Sequence, residues 1–242
     1  MRISRLYLPR TLEEGAVLRL DEESAHYLRT VLRLKKGTDL TVFNGDGSEY
    51  SARVSDIVRD EVRLEIGDRR NREVESSLIT HLGLGISRGE RMDLAIQKAV
   101  ELGVTRITPL FTEHCVVRLD EARRGNRHQH WQKVARSACE QCGRNRVPEV
   151  EEPAELEDWI AGREGLRLFF DPQGAVGLRD LPQPEGSVCL LSGPEGGFAA
   201  TERALAREAG FTAVRLGPRI LRTETAVLAA LSAIQAIWGD LG

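Results

Sequence analysis

Three observations predict an α/β protein, in which a small β-rich unit precedes a larger domain built on a parallel sheet. Beyond residue 75, short apolar runs alternate with helical patterns, the order expected when helices cross between parallel strands. Two glycine-bearing stretches, Gly193-Pro194-Glu195-Gly196-Gly197-Phe198 and Leu216-Gly217-Pro218-Arg219-Ile220-Leu221-Arg222-Thr223-Glu224-Thr225, each leave an apolar strand and enter a helix. In such units ligands gather outside the carboxyl ends of the strands, where glycine lets backbone come close. Before residue 68 the pattern is instead one of short strands around tight turns, with a single helix.

In the amino-terminal unit, Leu6–Leu8 and Val17–Leu20 are short strand candidates. Glu22–Leu34 reads as one amphipathic helix with Ala25, Leu28, Val31 and Leu32 on its apolar side. Leu40–Phe43 and Tyr50–Val58 flank Asn44-Gly45-Asp46-Gly47, which holds both of the dipeptides favoured in hairpin turns. Glu61–Ile66 makes a further strand. Asp68-Arg69-Arg70-Asn71-Arg72-Glu73 is polar and unpatterned, so it reads as a linker between domains at 1–70 and 75–242.

In the larger domain His81–Ile86 is a strand, and Ser87-Arg88-Gly89-Glu90 fits a capping box that opens a helix through Leu102, stopped by Gly103. A strand over 105–110, a long helix near 127–142 and a strand over 166–171 follow. Val188–Leu191 is a buried strand, Thr201–Ala209 a helix closed by Gly210, and Ala213–Leu216 another strand. Glu224–Trp238 is a terminal helix closed by Gly239. Neither loop matches the phosphate cradles Gly-x-x-x-x-Gly-Lys-Ser/Thr or Gly-x-Gly-x-x-Gly, so the spacing points to a nucleotide-sized ligand without naming it.

The chain has 242 residues, 41% hydrophobic and 29% charged, which is the composition of an ordered globular protein. No apolar run reaches membrane-spanning length and the amino terminus lacks an apolar signal segment, so a cytoplasmic location is expected. Cys115, Cys139, Cys142 and Cys189 are too scattered for a disulfide framework. Cys139 and Cys142, with His128 and His130, lack a second cysteine pair, and no metal is expected. The net charge of -3 is unevenly spread. Met1–Lys36 holds 8 basic against 5 acidic residues, Arg118–Arg146 holds 8 against 3, and the chain from Val147 onward holds 8 against 15. Phosphate binding follows such local fields rather than the total, although solvated helix faces account for the same counts.

Together with Gln97-Lys98-Ala99-Val100-Glu101-Leu102-Gly103 and Ala138-Cys139-Glu140-Gln141-Cys142-Gly143-Arg144-Asn145-Arg146-Val147-Pro148, the two loops resemble the RsmE family of bacterial 16S rRNA uracil-N3-methyltransferases, of the SPOUT class. Met1-Arg2-Ile3-Ser4-Arg5 and His26-Tyr27-Leu28-Arg29-Thr30-Val31-Leu32-Arg33 carry the resemblance to the amino terminus. It implies a PUA-like β-barrel that binds RNA, then a SPOUT-type parallel sheet with a carboxyl-terminal trefoil knot. It also implies S-adenosylmethionine as cofactor, a uridine of 16S rRNA in the assembled 30S subunit as substrate, 3-methyluridine as product, and a homodimer.

By the same resemblance Gly193, Pro194, Glu195, Gly196 and Gly197 form one wall of the cofactor site, and Leu216, Gly217, Ile220, Leu221, Arg222 and Thr225 the other. Phe169-Phe170-Asp171 is either a third wall or plain core. Arg222 is the candidate catalytic cation, standing beside O2 or O4 of the uracil as its N3 proton leaves; the competing reading is a structural ion pair with Glu224. Glu195 and Glu224 are possible bases, and none is assigned. Arg2, Arg5, Arg29, Arg33, Lys35 and Lys36 are expected to contact RNA from the first domain, with Arg29 and Arg33 on one helix face. Arg136, Arg144 and Arg146 are expected to do so from the second. Val227, Leu231, Ile234 and Trp238 form a stripe that packs either across a dimer interface or within the monomer.

Overall fold

The computed structural model describes residues 3–59, 61–115 and 121–242, the side chains of 121–123 excepted. It divides into two units, residues 1–75 with 139–147 and residues 76–138 with 148–242.

The first unit holds β1 (Arg5–Tyr7), β2 (Val17–Arg19), α1 (Glu22–His26), β3 (Asp39–Phe43), β4 (Ser48–Val58) and β5 (Glu61–Asn71). Its five strands lie in the order β1-β3-β4-β5-β2, with β1 and β3 parallel and the other neighbours antiparallel. Period-two patterning turns Tyr50, Ala52 and Val54 of β4 and Val62, Leu64 and Ile66 of β5 into one core, which Ala25 and Leu28 cover.

Two expectations fail here. Glu22–Leu34 is not one α-helix: α1 gives way at Tyr27–Val31 to a wider π-type turn, in which Leu32 N–H donates to Tyr27 C=O at 3.1 Å. A wide turn breaks the 3.6-residue period. Val31 is therefore exposed, Arg33 sits beyond the helix with φ of 52°, and Arg29 and Arg33 do not share a helical face. The second failure is the linker, because β5 runs on through Asn71. Arg69 pairs with Tyr50 and Asn71 with Ser48 across the strands, and the Arg69 guanidinium donates to Ser48 Oγ at 3.0 and 2.8 Å. Cross-strand partners offset a polarity that by itself reads as loop.

The second unit holds β6 (Ile79–Gly85), α2 (Glu90–Glu101), β7 (Arg106–Phe111), α3 (Glu121–Cys142), β8 (Glu149–Val150), β9 (Ala154–Glu155), α4 (Leu156–Ile160), β10 (Leu166–Phe170), β11 (Ser187–Ser192), α5 (Ala200–Glu208), β12 (Thr212–Val214) and α6 (Thr223–Trp238). The last turn of α3 and residues after it, 139–147, cluster with the first unit. The sheet runs β12-β10-β11-β6-β7-β8 with every pairing parallel, and β9 also pairs with β7. Val227, Leu231 and Ile234 of α6 are fully buried, so this stripe packs within the chain, against α2 and β11. Beneath the sheet, His81 Nε2 meets Thr108 Oγ1 at 2.7 Å, the Trp159 indole N–H donates to Thr108 Oγ1 at 2.9 Å, and the Thr108 hydroxyl donates to Glu151. Arg163 faces His81 Nδ1 at 3.3 Å. Burial, opposed by Glu151 and helped by Arg163 and Arg106, pushes the His81 imidazole down to about 4.

Candidate active site

The strand order places the carboxyl ends of β12, β10 and β11 side by side, and the two glycine-bearing loops leave from the outer pair. They enclose a cavity of about 500 Å³. Gly193, Pro194, Glu195, Gly196 and Gly197 line it on one side, and Leu216, Gly217, Ile220, Leu221 and Arg222 on the other. Phe170 and Asp171 close it from the end of β10, whereas Phe169 is core. Thr225 is not on the lining, one step along α6 from Glu224 and Ala226, which are.

The loop after β11 is held at three successive residues. A Cβ on Gly85 would stand 2.5 Å from Pro194, so glycine at the end of β6 is what lets the proline in. Glu195 Oε1 accepts from the Arg88 backbone N–H and from Arg91 Nη1, each at 3.1 Å. Gly196 C=O meets His114 Nδ1 at 3.0 Å, and a Cβ on Gly196 would stand 2.7 Å from His114 Cβ. Gly197, at φ of 67°, turns the chain toward α5, where Glu202 accepts from the Ala199 and Glu113 amides at 2.8 Å each.

The expected capping box at Ser87 does not form. Gly89 is the N-cap of α2 and bears no side chain to cap with, while the Glu195 carboxylate arrives from the distant loop instead. Burial raises the Glu195 carboxyl, but the amides of Glu195 and Arg88, with Arg91 and Ser87, outweigh it and hold the group below its ordinary value. A carboxylate held ionised and turned toward α2 is poorly suited to act as a base.

Arg222 is the N-cap of α6 and its exposed side chain borders the cavity. No ion pair joins it to Glu224 among the described residues; Glu224 Oε2 is buried without a hydrogen-bond partner. Arg91 and Arg203 also reach the cavity, and the sequence reading missed both. Each lies in the first turn of a helix that follows a parallel strand, and that position was the available signal. Arg203 Nε lies 3.5 Å and Arg207 Nη2 3.8 Å from Asp171 Oδ2, ion-pair range that falls short of a hydrogen bond.

The expected RNA contacts divide. Arg29, Arg33, Lys35, Lys36 and Arg146 are exposed, with Lys36 paired to Asp56 at 3.1 Å, and Arg136 is half-buried. Arg2 lies outside the described residues. Arg5 and Arg144 are corrections. Arg5 is turned inward, paired with Glu49, donating to Asn145 Oδ1 at 2.6 Å and stacked 4.9 Å from the Phe43 ring. Arg144 is buried against Glu75 at 2.6 Å. Both guanidiniums are occupied inside the first unit.

His128 engages Glu152 and the Val150 carbonyl, His130 engages Asp93, and burial pushes the Cys139 thiol up to about 12. Among the described residues no cluster of three metal-ligating side chains occurs, and no helix is long and apolar enough to cross a membrane.

Residues 74–235 match an RNA methyltransferase domain family, and residues 20–67 match an RNA methyltransferase PUA domain family. Ribosomal RNA small subunit methyltransferase E from Buchnera aphidicola is 38% identical over 99% of this chain and 98% of its own. A Legionella pneumophila protein solved with the bound cofactor SAM superposes with a TM-score of 0.96 at 41% identity, over the whole of both chains. The Neisseria gonorrhoeae ribosomal RNA small subunit methyltransferase E bound to S-adenosyl methionine does so at 0.93 and 39%, again over both whole chains. On matches that run from end to end, this chain belongs to the ribosomal RNA small subunit methyltransferase E family.

Proposed function

We propose that this chain methylates N3 of a uridine in 16S rRNA, using S-adenosylmethionine, and that the observation carrying this reading is the glycine-walled cavity at three adjacent strand ends. Its volume of about 500 Å³ falls in the range of small-molecule sites. The lining suits a purine nucleoside with a zwitterionic tail: glycine backbone offers close approach, and the lining includes both basic residues, Arg91, Arg203, Arg219 and Arg222, and acidic ones, Asp171, Glu195 and Glu224. When bound, S-adenosylmethionine supplies a methyl group already activated on a sulfonium. The protein's share is to position the uracil and stabilise the charge left when its N3 proton departs. Arg222 holds its guanidinium against the uracil carbonyl oxygens, and fixed geometry removes much of the remaining barrier. The backbone of 193–197 and of Leu216, Gly217, Ile220 and Leu221, with Thr225 beyond it, holds the cofactor.

Residues 1–70 act as the RNA-binding domain and 75–242 as the methyltransferase domain. Arg29, Arg33, Lys35, Lys36 and Arg146 meet rRNA phosphates from the first unit and Arg136 from the second. A trefoil knot fits the chain path: β12 lies beyond β10, yet α6, which follows β12, packs on α2 and β11 and touches the turn Leu178–Asp180 in the β10–β11 connection. A homodimer in the cytoplasm, acting on the 30S subunit, completes the reading. Leu94 on α2 and Ile237 on α6, two exposed apolar residues on helices that pack together, support the dimer.

The test is transfer of labelled methyl from S-adenosylmethionine to small ribosomal subunits lacking the modification, with the label mapped to base and ring atom. Label at N3 of one 16S uridine is expected. Cofactor binding without transfer would reject the substrate, and label on another atom would reject the chemistry.

A further inference from the structure

We propose that Glu195 is the positioning residue of the cofactor site, a charged clamp that ties the loop after β11 to the start of α2 and so presets the backbone of Gly196 and Gly197. This rests on the methyltransferase reading but concerns a side chain that touches no reacting atom.

The geometry carries it. One carboxylate oxygen takes two donors, a backbone N–H of Arg88 and the Arg91 guanidinium, each at 3.1 Å. Both belong to the segment that opens α2, which offers no side chain of its own for a cap. The neighbouring holds are weaker in kind: Pro194 is seated by packing over Gly85, and Gly196 by one bond from the exposed His114. Glu195 alone uses a charge, and charge-assisted hydrogen bonds are the stronger ones. The loop follows β11 and α2 follows β6, two strands that are sheet neighbours. The tie therefore spans neighbouring strand ends, and a loop already in its binding form pays less on binding.

Hydrogen exchange of the ligand-free full chain and S-adenosylhomocysteine affinity test the clamp. In Glu195→Gln, amides of 193–198 are expected to exchange about tenfold faster and the Kd to rise about tenfold, because the competent fraction of the loop falls. Glu195→Ala moves both further. Arg91→Ala moves them less, and adds nothing in the Glu195→Gln background. At saturating cofactor, the kcat of Glu195→Gln keeps both limbs of its pH profile. Unchanged exchange, an additive double variant, or loss of one limb of the kcat profile would overturn the proposal. If the wild-type chain binds no S-adenosylhomocysteine while Glu195→Gln still frees the loop, the methyltransferase reading fails and the clamp stands.

Discussion

Arg222 stands at the cavity mouth with no carboxylate paired to it among the described residues, which is what a group waiting for transient negative charge requires. Arg222→Ala is expected to lower kcat by 100-fold or more, of the order seen for one oxyanion donor, while S-adenosylhomocysteine affinity stays within about threefold. Equal losses in both would return Arg222 to a cofactor ligand. Arg5 gives the opposite expectation. Its side chain is 9% exposed against a Glu49 that is 13% exposed, so Arg5→Met strands a nearly buried carboxylate and should cost roughly 3 kcal/mol of stability in denaturant melts. The same variant should leave the salt dependence of RNA binding unchanged. The glycine loops were legible because a missing Cβ is a local property written at its own position. The burial of Arg5 and Arg144 was not, because it depends on Glu49, Asn145 and Glu75, far away in sequence.

His81 on β6 shows what one strand owes to its neighbours. Thr108 comes from β7, Trp159 from α4, and Glu151, Arg163 and Arg106 complete the charged surroundings. The imidazole, held to about 4 in the fold against 6.5 ordinarily, stays neutral when folded, so the unfolded chain binds more protons between those values. Its contribution is full above about pH 6.5 and is lost as pH falls toward 4. Denaturant melts across this window should show wild type losing stability faster than His81→Asn; parallel curves would assign the loss to other groups. Periodicity revealed the longer sheet strands and α2, α5 and α6, where one face meets one core, but not the two-residue strands β8 and β9 or the short α4, which are too brief to show a period. It failed at α1, where a wide turn changes the period within the element, and at the end of β5, where Ser48 and Arg69 satisfy each other across the hairpin. Alternation of apolar runs cannot foresee either, since both depend on a partner strand or turn.

Across the chain, binding to RNA should divide into a charge-driven term and a site-driven term. Neutralising Arg29, Arg33 and Lys35 together is expected to flatten the slope of log affinity against log salt by about two to three, while leaving S-adenosylhomocysteine binding intact. An unchanged slope would remove these side chains from the RNA contact. The change along the chain from a strand pattern to strand–helix alternation was readable from the apolar runs. The return of 139–147 to the first unit was not, because nothing in a helical segment states which core its last turn joins.

That return gives the first unit a timetable. Tyr7 N–H donates to Glu140 and Arg5 to Asn145, so the opening strand finds its last partners only in residues 139–147. A ribosome adding roughly 5–20 residues per second delivers them some seconds after residue 75. During synthesis the amino-terminal unit therefore waits, unfinished, until the whole segment between its two parts has been made, and it is completed from within the domain that follows it.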